Sequence, residues 1–376
     1  MSVATEPEAR TKLTPLVAGI YSNYPCRKQS GGGKMVPDAV VDLGDAGPVM
    51  LFWQCSARTG SANRTLKVEP EVNGKPQSAL GTWTHVNPAN VHAPLLRRRA
   101  LTEPLPQGQS IFGVNAGDGV VTDQNDTVNM LALDVSDMSK PPQVRLDRWG
   151  NAGGPPNYTQ QGFNSNGGPL LVSIAATGRP KQKGQFVEAF LFLDNMPVAA
   201  IQIFANQSDQ HIHIVGGDRV IKASAGSHTL KLVAGQDTVI DQNDYWSLTV
   251  MEFQSPSSVT QVLDNAKCEN QQGDGLIAKG TYESKGGQHM ICVWLSGYAH
   301  QADRAVEARV FVDENPVGRL RIFANQAETH THLCGGDIAP GALPPGKHTI
   351  AVFAANKDTI TDFNDRCSMT VLEVYR

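Results

Sequence analysis

The sequence predicts an all-β protein: three tandem jelly-roll-like β-sandwich modules behind an N-terminal arm. Three observations lead there. A set of sequence blocks recurs three times in the same order. The blocks are short apolar, β-branched or aromatic runs, several with period-two alternation. Gly (36 of 376 residues) and Pro (23) are frequent, which favours many turns over long helices.

The repeat carries most weight, because a missed repeat mis-assigns the whole fold. Its closing block is TVIDQNDYWSLTVMEF, from Thr238 to Phe253. It returns as TITDFNDRCSMTVLEV, from Thr359 to Val374, and stands earlier as VVTDQNDTVNMLALDV, from Val120 to Val135. A middle block, VEAFLFLDNMPVAAIQIFANQ from Val187, returns as VEARVFVDENPVGRLRIFANQ from Val306. Its degenerate copy is LKVEPEVNGKPQSALGTWTHV from Leu66. An opening block reads GPVMLFW from Gly47, GPLLVSI from Gly168 and GQHMICVW from Gly287. Copies lie about 120 residues apart, a domain length rather than a solenoid period.

Each block predicts strands. In the middle block, FLFLD and RVFVD stop at Asp194-Asn195 and Asp313-Glu314-Asn315, turn residues ahead of a Pro, so a hairpin follows. In GRLRIFA, Leu320 and Ile322 alternate with Arg319 and Arg321, one face in and one out. SHTLKLVAG and KHTIAVFAA give a further period-two strand, and WSLTVMEF and SMTVLEVY close their modules. Roughly eight strands per module fit a jelly roll or related sandwich. The boundaries read as an arm over 1–45, modules over 46–136, 167–254 and 286–376, and linkers over 137–166 and 255–285. The first linker is rich in Pro, Gly and Asn.

The net charge of −4 shows no basic stripe, so no nucleic-acid partner is expected. Arg97-Arg98-Arg99 reads as a solvated or interface patch. No window approaches the ~20 apolar residues that span a bilayer, and the first residues carry acids where a signal peptide carries bases. The six Cys occupy non-matching places in the repeat and form no CxxC pair, so buried free thiols are expected. SGGGK at Ser30 to Lys34 lacks the phosphate-loop spacing. No nucleophile elbow, His-Glu-x-x-His or dinucleotide fingerprint occurs, and no enzyme is expected.

Two residue patterns are candidate sites. His211 and His213 lie in DQHIHIVGGD, and His330 and His332 in ETHTHLCGGD. On a strand, residues two apart share a face, so each pair can offer two imidazoles to zinc if a third ligand arrives, within a module or across a three-fold axis. The plainer reading is a polar face hydrogen-bonded to neighbours or lying at a module interface. The repeat alignment sets His92 under His213 and His332, and Asn90 under His211 and His330. The D-x-N-D loops are Asp123, Asn125 and Asp126; Asp241, Asn243 and Asp244; and Asp362, Asn364 and Asp365. Their oxygens can contact calcium or another ligand, but Asx-turn chemistry explains the same residues and is preferred. Trp246 is a candidate ring for stacking on a glycan.

The ends of the last two modules resemble trimeric jelly-roll domains of bacteriophage tail and fibre proteins, similar in shape to C1q and tumour-necrosis-factor modules. The residues are Gly226-Ser227-His228-Thr229 and Gly346-Lys347-His348-Thr349, with Glu252 and Glu373 in the closing strand. The resemblance implies a virion or appendage component, made in the host cytoplasm. It would self-associate, often as a trimer, beside other virion proteins. It leaves open whether three fused modules mimic a trimer in one chain. Two other classes stay open: a lectin-like carbohydrate-binding protein with tandem modules, and a metal-dependent enzyme using the paired His.

Overall fold

The computed structural model describes residues 10–13, 17–43, 46–61, 63–77, 80–84, 91–95, 97–135, 138, 141–208, 210–255 and 257–375. Every regular element among them is a strand, so no helix is long and apolar enough to cross a membrane.

The second module shows the topology most plainly. Its eight main strands are Gln143–Asn151, Asn157–Asn166, Pro169–Pro180, Gln185–Leu193, Met196–Ala205, Ile212–Lys222, Ala225–Ala234 and Tyr245–Glu252. They form two antiparallel sheets in the orders one-eight-three-six and two-seven-four-five. That is the jelly-roll order the repeat predicts. The third module repeats it from Ser258–Lys267 to Arg366–Val374, and the first from Val17–Pro25 to Thr127–Asp134.

The predicted arm and linkers need correction. Residues 1–45 contain the first two main strands of module one, Val17–Pro25 and Ala39–Leu43. The segment 137–166 supplies strands one and two of module two, and 255–285 those of module three, Ser258–Lys267 and Leu276–Ser284. These strands are polar because few of their side chains face the core: in Asn157–Asn166 only Tyr158, Phe163 and Ser165 are buried. A strand with so few inward apolar residues has the composition of a loop.

The strand four-to-five hairpins turn on paired left-handed residues: Asn73 (φ 51°) and Gly74 (73°), Asp194 (49°) and Asn195 (68°), Asp313 (46°) and Glu314 (70°). Two consecutive positive φ values suit the right-handed twist of the flanking strands. The conformation is costly for Asp and Glu, and the turn is clamped. Asp194 Oδ1 accepts the Thr229 N–H at 2.8 Å and its Oδ2 binds His228 Nδ1 at 2.6 Å. Asp313 is held likewise by Thr349 and His348. The Gly-x-His-Thr motif is thus a lock on the neighbouring hairpin. The closing-strand acids lock another turn: Glu252 Oε1 accepts from Ser165, Asn166 and Gly168, and Glu373 Oε1 from Ser284 and Lys285.

The two sheets of each module differ in surroundings. The two-seven-four-five sheet alternates buried with half-exposed residues, as in Gly346–Ala354. In the one-eight-three-six sheet strands eight and three are covered on both faces: every residue of Thr127–Asp134 and Arg366–Val374 is buried. The second cover comes from the other modules. Met50 and Leu133, Leu171 and Met251, Met290 and Leu372 are equivalent pairs, one per module, and belong to a single apolar cluster. Strand six of module one (Arg98–Leu101) touches strand eight of module two, strand six of module two touches strand eight of module three, and strand six of module three (Asp337–Leu343) touches strand eight of module one. The contact is head-to-tail and closes after three steps. One chain therefore builds a ring of three jelly rolls about a pseudo-threefold axis. All six cysteines are buried free thiols, whose pKa burial raises.

Candidate functional site

Strand six of each module runs beside the axis; it and the segment just ahead of it carry the histidines, the GGD segments and the arginine run. The D-x-N-D loop anchors the start of that segment. In module three, Asp365 Oδ1 accepts from Ser296 Oγ (2.7 Å) and binds His330 Nδ1 (2.8 Å), while its Oδ2 accepts the Asp362 N–H (3.0 Å). Asp362 Oδ1 accepts the Asn364 N–H at 2.7 Å, an Asx-turn. Module two repeats each contact with Thr177, His211, Asp244, Asp241 and Asn243. Module one has His92 Nδ1 on Asp126 Oδ1 at 2.7 Å, and Asp123 with Asn125 in the turn.

This geometry corrects the alignment of the first module. His92 is the equivalent of His211 and His330, and Pro94 stands where His213 and His332 do. Asn90 lies outside the described residues. The slip arose because sequence around residues 85–96 has diverged, and the only firm anchor is the buried Asp126. Each His–Asp–Asp group has three ligand-type atoms within 4.8 Å. Protein donors already engage both oxygens of the inner Asp, so the loop works as a turn that fixes a histidine.

The two further histidines have different surroundings. His213 and His332 are 5% and 1% exposed, and their rings lie 4.8 Å apart between modules two and three, with planes 21° apart. Among the described residues, neither nitrogen of either ring has a hydrogen-bond partner. Burial pushes His213 down to about 3, and burial with the neighbouring His213 holds His332 well below the ordinary imidazole range. Both are neutral at neutral pH. Sequence places His211 beside His213 along the strand; the ring contact that the structure makes is instead across modules.

A cavity of about 60 Å³ opens here, lined by His92, Pro94, His211, His213, His330 and His332 among others. The IFANQ segments build its rim by clasping the next module. Asn325 Oδ1 accepts the His92 N–H (2.8 Å) and Phe323 packs edge-on to that ring; Asn206 and Phe204 do the same for His330.

Deeper along strand six lies a charge cluster that the sequence reading did not assemble. Arg99, Asp218 and Asp337 occupy one repeat position and meet at the centre. Arg99 lies 2.5 Å from Asp218 and 3.5 Å from Asp337, and all three side chains are wholly buried. Arg97 Nε donates to Asp337 at 2.7 Å, its Nη1 to the Val293 carbonyl, and its guanidinium lies 4.5 Å from the Trp294 ring centre. Burial alone would raise Asp337, but Arg97 and Arg99 hold its carboxyl below the usual range. Arg98 pairs with Asp147 of module two at 3.1 Å. The run is an interface, not a solvated patch. The available signal was GGD in two modules facing RRR in the first. Gly216 shows why glycine precedes the Asp: a Cβ there would lie 2.3 Å from the Trp294 ring of module three.

Trp246 is 6% exposed and donates Nε1–H to the Asn151 carbonyl, so it is a packing residue rather than a stacking platform. Tyr245 lies half-buried beside Trp149, ring centres 6.3 Å apart; Trp149 is 37% exposed.

No family model matches the chain, and no curated protein sequence matches it. Several solved structures are similar to the chain at low sequence identity and low TM-score. PNGF-II is 8% identical, with 86% of this chain and 98% of that one covered, at a TM-score of 0.30. A triple jelly-roll protein from the turret assembly of an archaeal virus is 7% identical, over 98% and 97%, at 0.22. The CBM36-1 domain of a xylanase from the hindgut metagenome of Trinervitermes trinervoides is 12% identical, over 32% and 98%, at 0.20.

Proposed function

We propose that the chain is a structural component of a virus particle, in the capsid, its decoration or a tail of bacteriophage type. It acts by contact rather than turnover, as a ready-made three-fold block. One observation carries the reading: equivalent apolar faces and the Arg99–Asp218–Asp337 cluster fuse three jelly rolls into a closed ring within a single chain. Such a ring gives a rigid body with pseudo-threefold symmetry and leaves three outer sheets and their loops for neighbours. The virion would be its location, with self-association and other virion proteins as its contacts. The test is light scattering with negative-stain imaging of the full chain across a concentration series. Regular assemblies with three-fold features are expected. A monomer at every concentration, with no binding to particle proteins from the same source, would remove the proposal.

A second reading rests on Trp149, 37% exposed, whose ring is stacked against Tyr245 and flanked by the Arg98 guanidinium and leaves part of its apolar surface open to a sugar. A glycan array with wild-type and Trp149→Ala protein separates the two. Hits lost in the variant favour a carbohydrate contact; an empty array with the multimerised chain removes it.

A further inference from the structure

We propose that the outer sheet of module three carries a cleft that binds a carboxylated sugar. The inference goes beyond the virion reading and rests neither on it nor on Trp149. The cleft lies across strands two, seven and four, Leu276–Ser284, Gly346–Ala354 and Arg304–Val312, with strand five, Asn315–Ala324, beside them. Its volume is about 660 Å³, within the range of small-ligand sites.

Strand register builds it. Lys279, Ala351 and Phe311 lie side by side in one row, and Leu276, Phe353 and Arg309 in the next. Ala351 is small, so a gap opens between Lys279 and Phe311. Phe311 and Phe353 are half-buried and meet edge to face, ring centres 5.4 Å apart. They give the cleft apolar surface of the kind that packs on a sugar ring.

The charges select the acid. Arg309 stands directly opposite Arg319 of strand five, and both are exposed. Like charges in that register repel and cost stability. Among the described residues neither guanidinium is paired with a carboxylate, and Lys279 is not either. The next pair along, Glu307 and Arg321, is satisfied at 2.9 Å. A planar carboxylate is the group that guanidiniums take with paired hydrogen bonds. Asp274 and Glu314 also line the cleft. They can accept from hydroxyls and would repel a run of acidic residues, which favours a sugar acid over an acidic peptide. The strand backbones under the cleft are already bonded within the sheet, so strand addition is not open there.

The repeat confines the cleft to module three. In module two Lys231 stands in the place of Ala351, and Phe190 and Ala200 in those of Arg309 and Arg319. Module one has Glu69 and Glu71 where module three has Arg309 and Phe311.

The experiment places the full chain on an array of glycans ending in uronic or sialic acids, beside their neutral counterparts and a polyglutamate peptide. Binding to acidic glycans alone is expected, weakened by salt, with one site per chain when the best binder is titrated by calorimetry. Arg309→Ala with Arg319→Ala should lower affinity at least about tenfold. Ala351→Lys copies module two, so the strand is kept while the gap is filled, and it should weaken binding as much. Trp149→Ala should leave the affinity unchanged, which separates this cleft from the second reading above. An array with no acidic glycan bound, or equal binding of neutral glycans or polyglutamate, would overturn the proposal. So would binding lost in Trp149→Ala but kept in Ala351→Lys.

Discussion

Both ring nitrogens of His228 face acceptors, the Asp194 carboxylate and the Ser224 carbonyl, so the folded chain favours its imidazolium. The bond to Asp194 raises the histidine, and the same bond lowers the carboxyl. At His348 burial opposes the charge, but the Asp313 and Pro344 bonds outweigh it. A raised histidine stabilises fully below its unfolded value near 6.5 and loses this as pH rises through the folded value. A lowered aspartate contributes above about 3.9 and loses this as pH falls. The clamps are therefore strongest between about pH 4 and 6.5. The double variant His228→Asn with His348→Asn should melt below wild type, with the gap widest near pH 5–6 and narrow at pH 9. A gap independent of pH would show that packing, not charge, holds the turns. The axial charges behave differently. Arg99→Met leaves Asp218 buried without its cation and should cost about 3–5 kcal/mol in urea unfolding, with Asp218→Asn restoring part. A cost under about 1 kcal/mol would mean that water reaches the centre. The axial cluster was not legible from Arg97-Arg98-Arg99 alone, because charge runs usually face solvent and the partners lie 49 to 240 residues away.

At the scale of elements, the D-x-N-D loop and strand six form one device. The loop's inner Asp collects a hydroxyl, an imidazole and a backbone N–H, and so fixes the histidine segment that leads into strand six. Asp365→Ala strands all three and should lower stability by about 3 kcal/mol or more, since each buried orphan costs about 1–3 kcal/mol. Asp365→Asn keeps one acceptor and should cost less. Calcium or its chelator should leave the melting temperature of wild type unchanged; a calcium-dependent rise would restore the ligand reading of these loops. Asx-turn chemistry was readable from residue type, and the hairpin from Asp194-Asn195 before Pro197. Strands one and two of each module were not. Gln143–Asn151 buries only Leu146, so no period-two signal survives in it, and its place is fixed by hydrogen bonds to Tyr245–Glu252.

At the scale of the molecule, the continuous apolar runs have a meaning that a single sandwich does not supply. GPVMLFW, GPLLVSI and GQHMICVW lack alternation because each strand three is buried on its own core face and again against the axis. Continuous burial usually marks a strand covered on both sides; here the second cover is another module. That signal was in the sequence, but it does not say whether the cover comes from the same chain or another. The repeat of three with a head-to-tail contact supplies the answer: the ring closes within the chain. The modules should then not be independent. A fragment of residues 257–376 has an intact jelly-roll core, yet exposes Met290, Cys292, Leu372 and Val374, which are buried in the whole chain. Exposed apolar patches of that kind drive association. The fragment should bind a hydrophobic dye and self-associate, whereas the whole chain should unfold by calorimetry in one cooperative transition. Three resolved transitions, or a soluble monomeric fragment that binds no dye, would mean that the axial contacts carry little energy. The ring would then be a loose tether of three domains rather than one body.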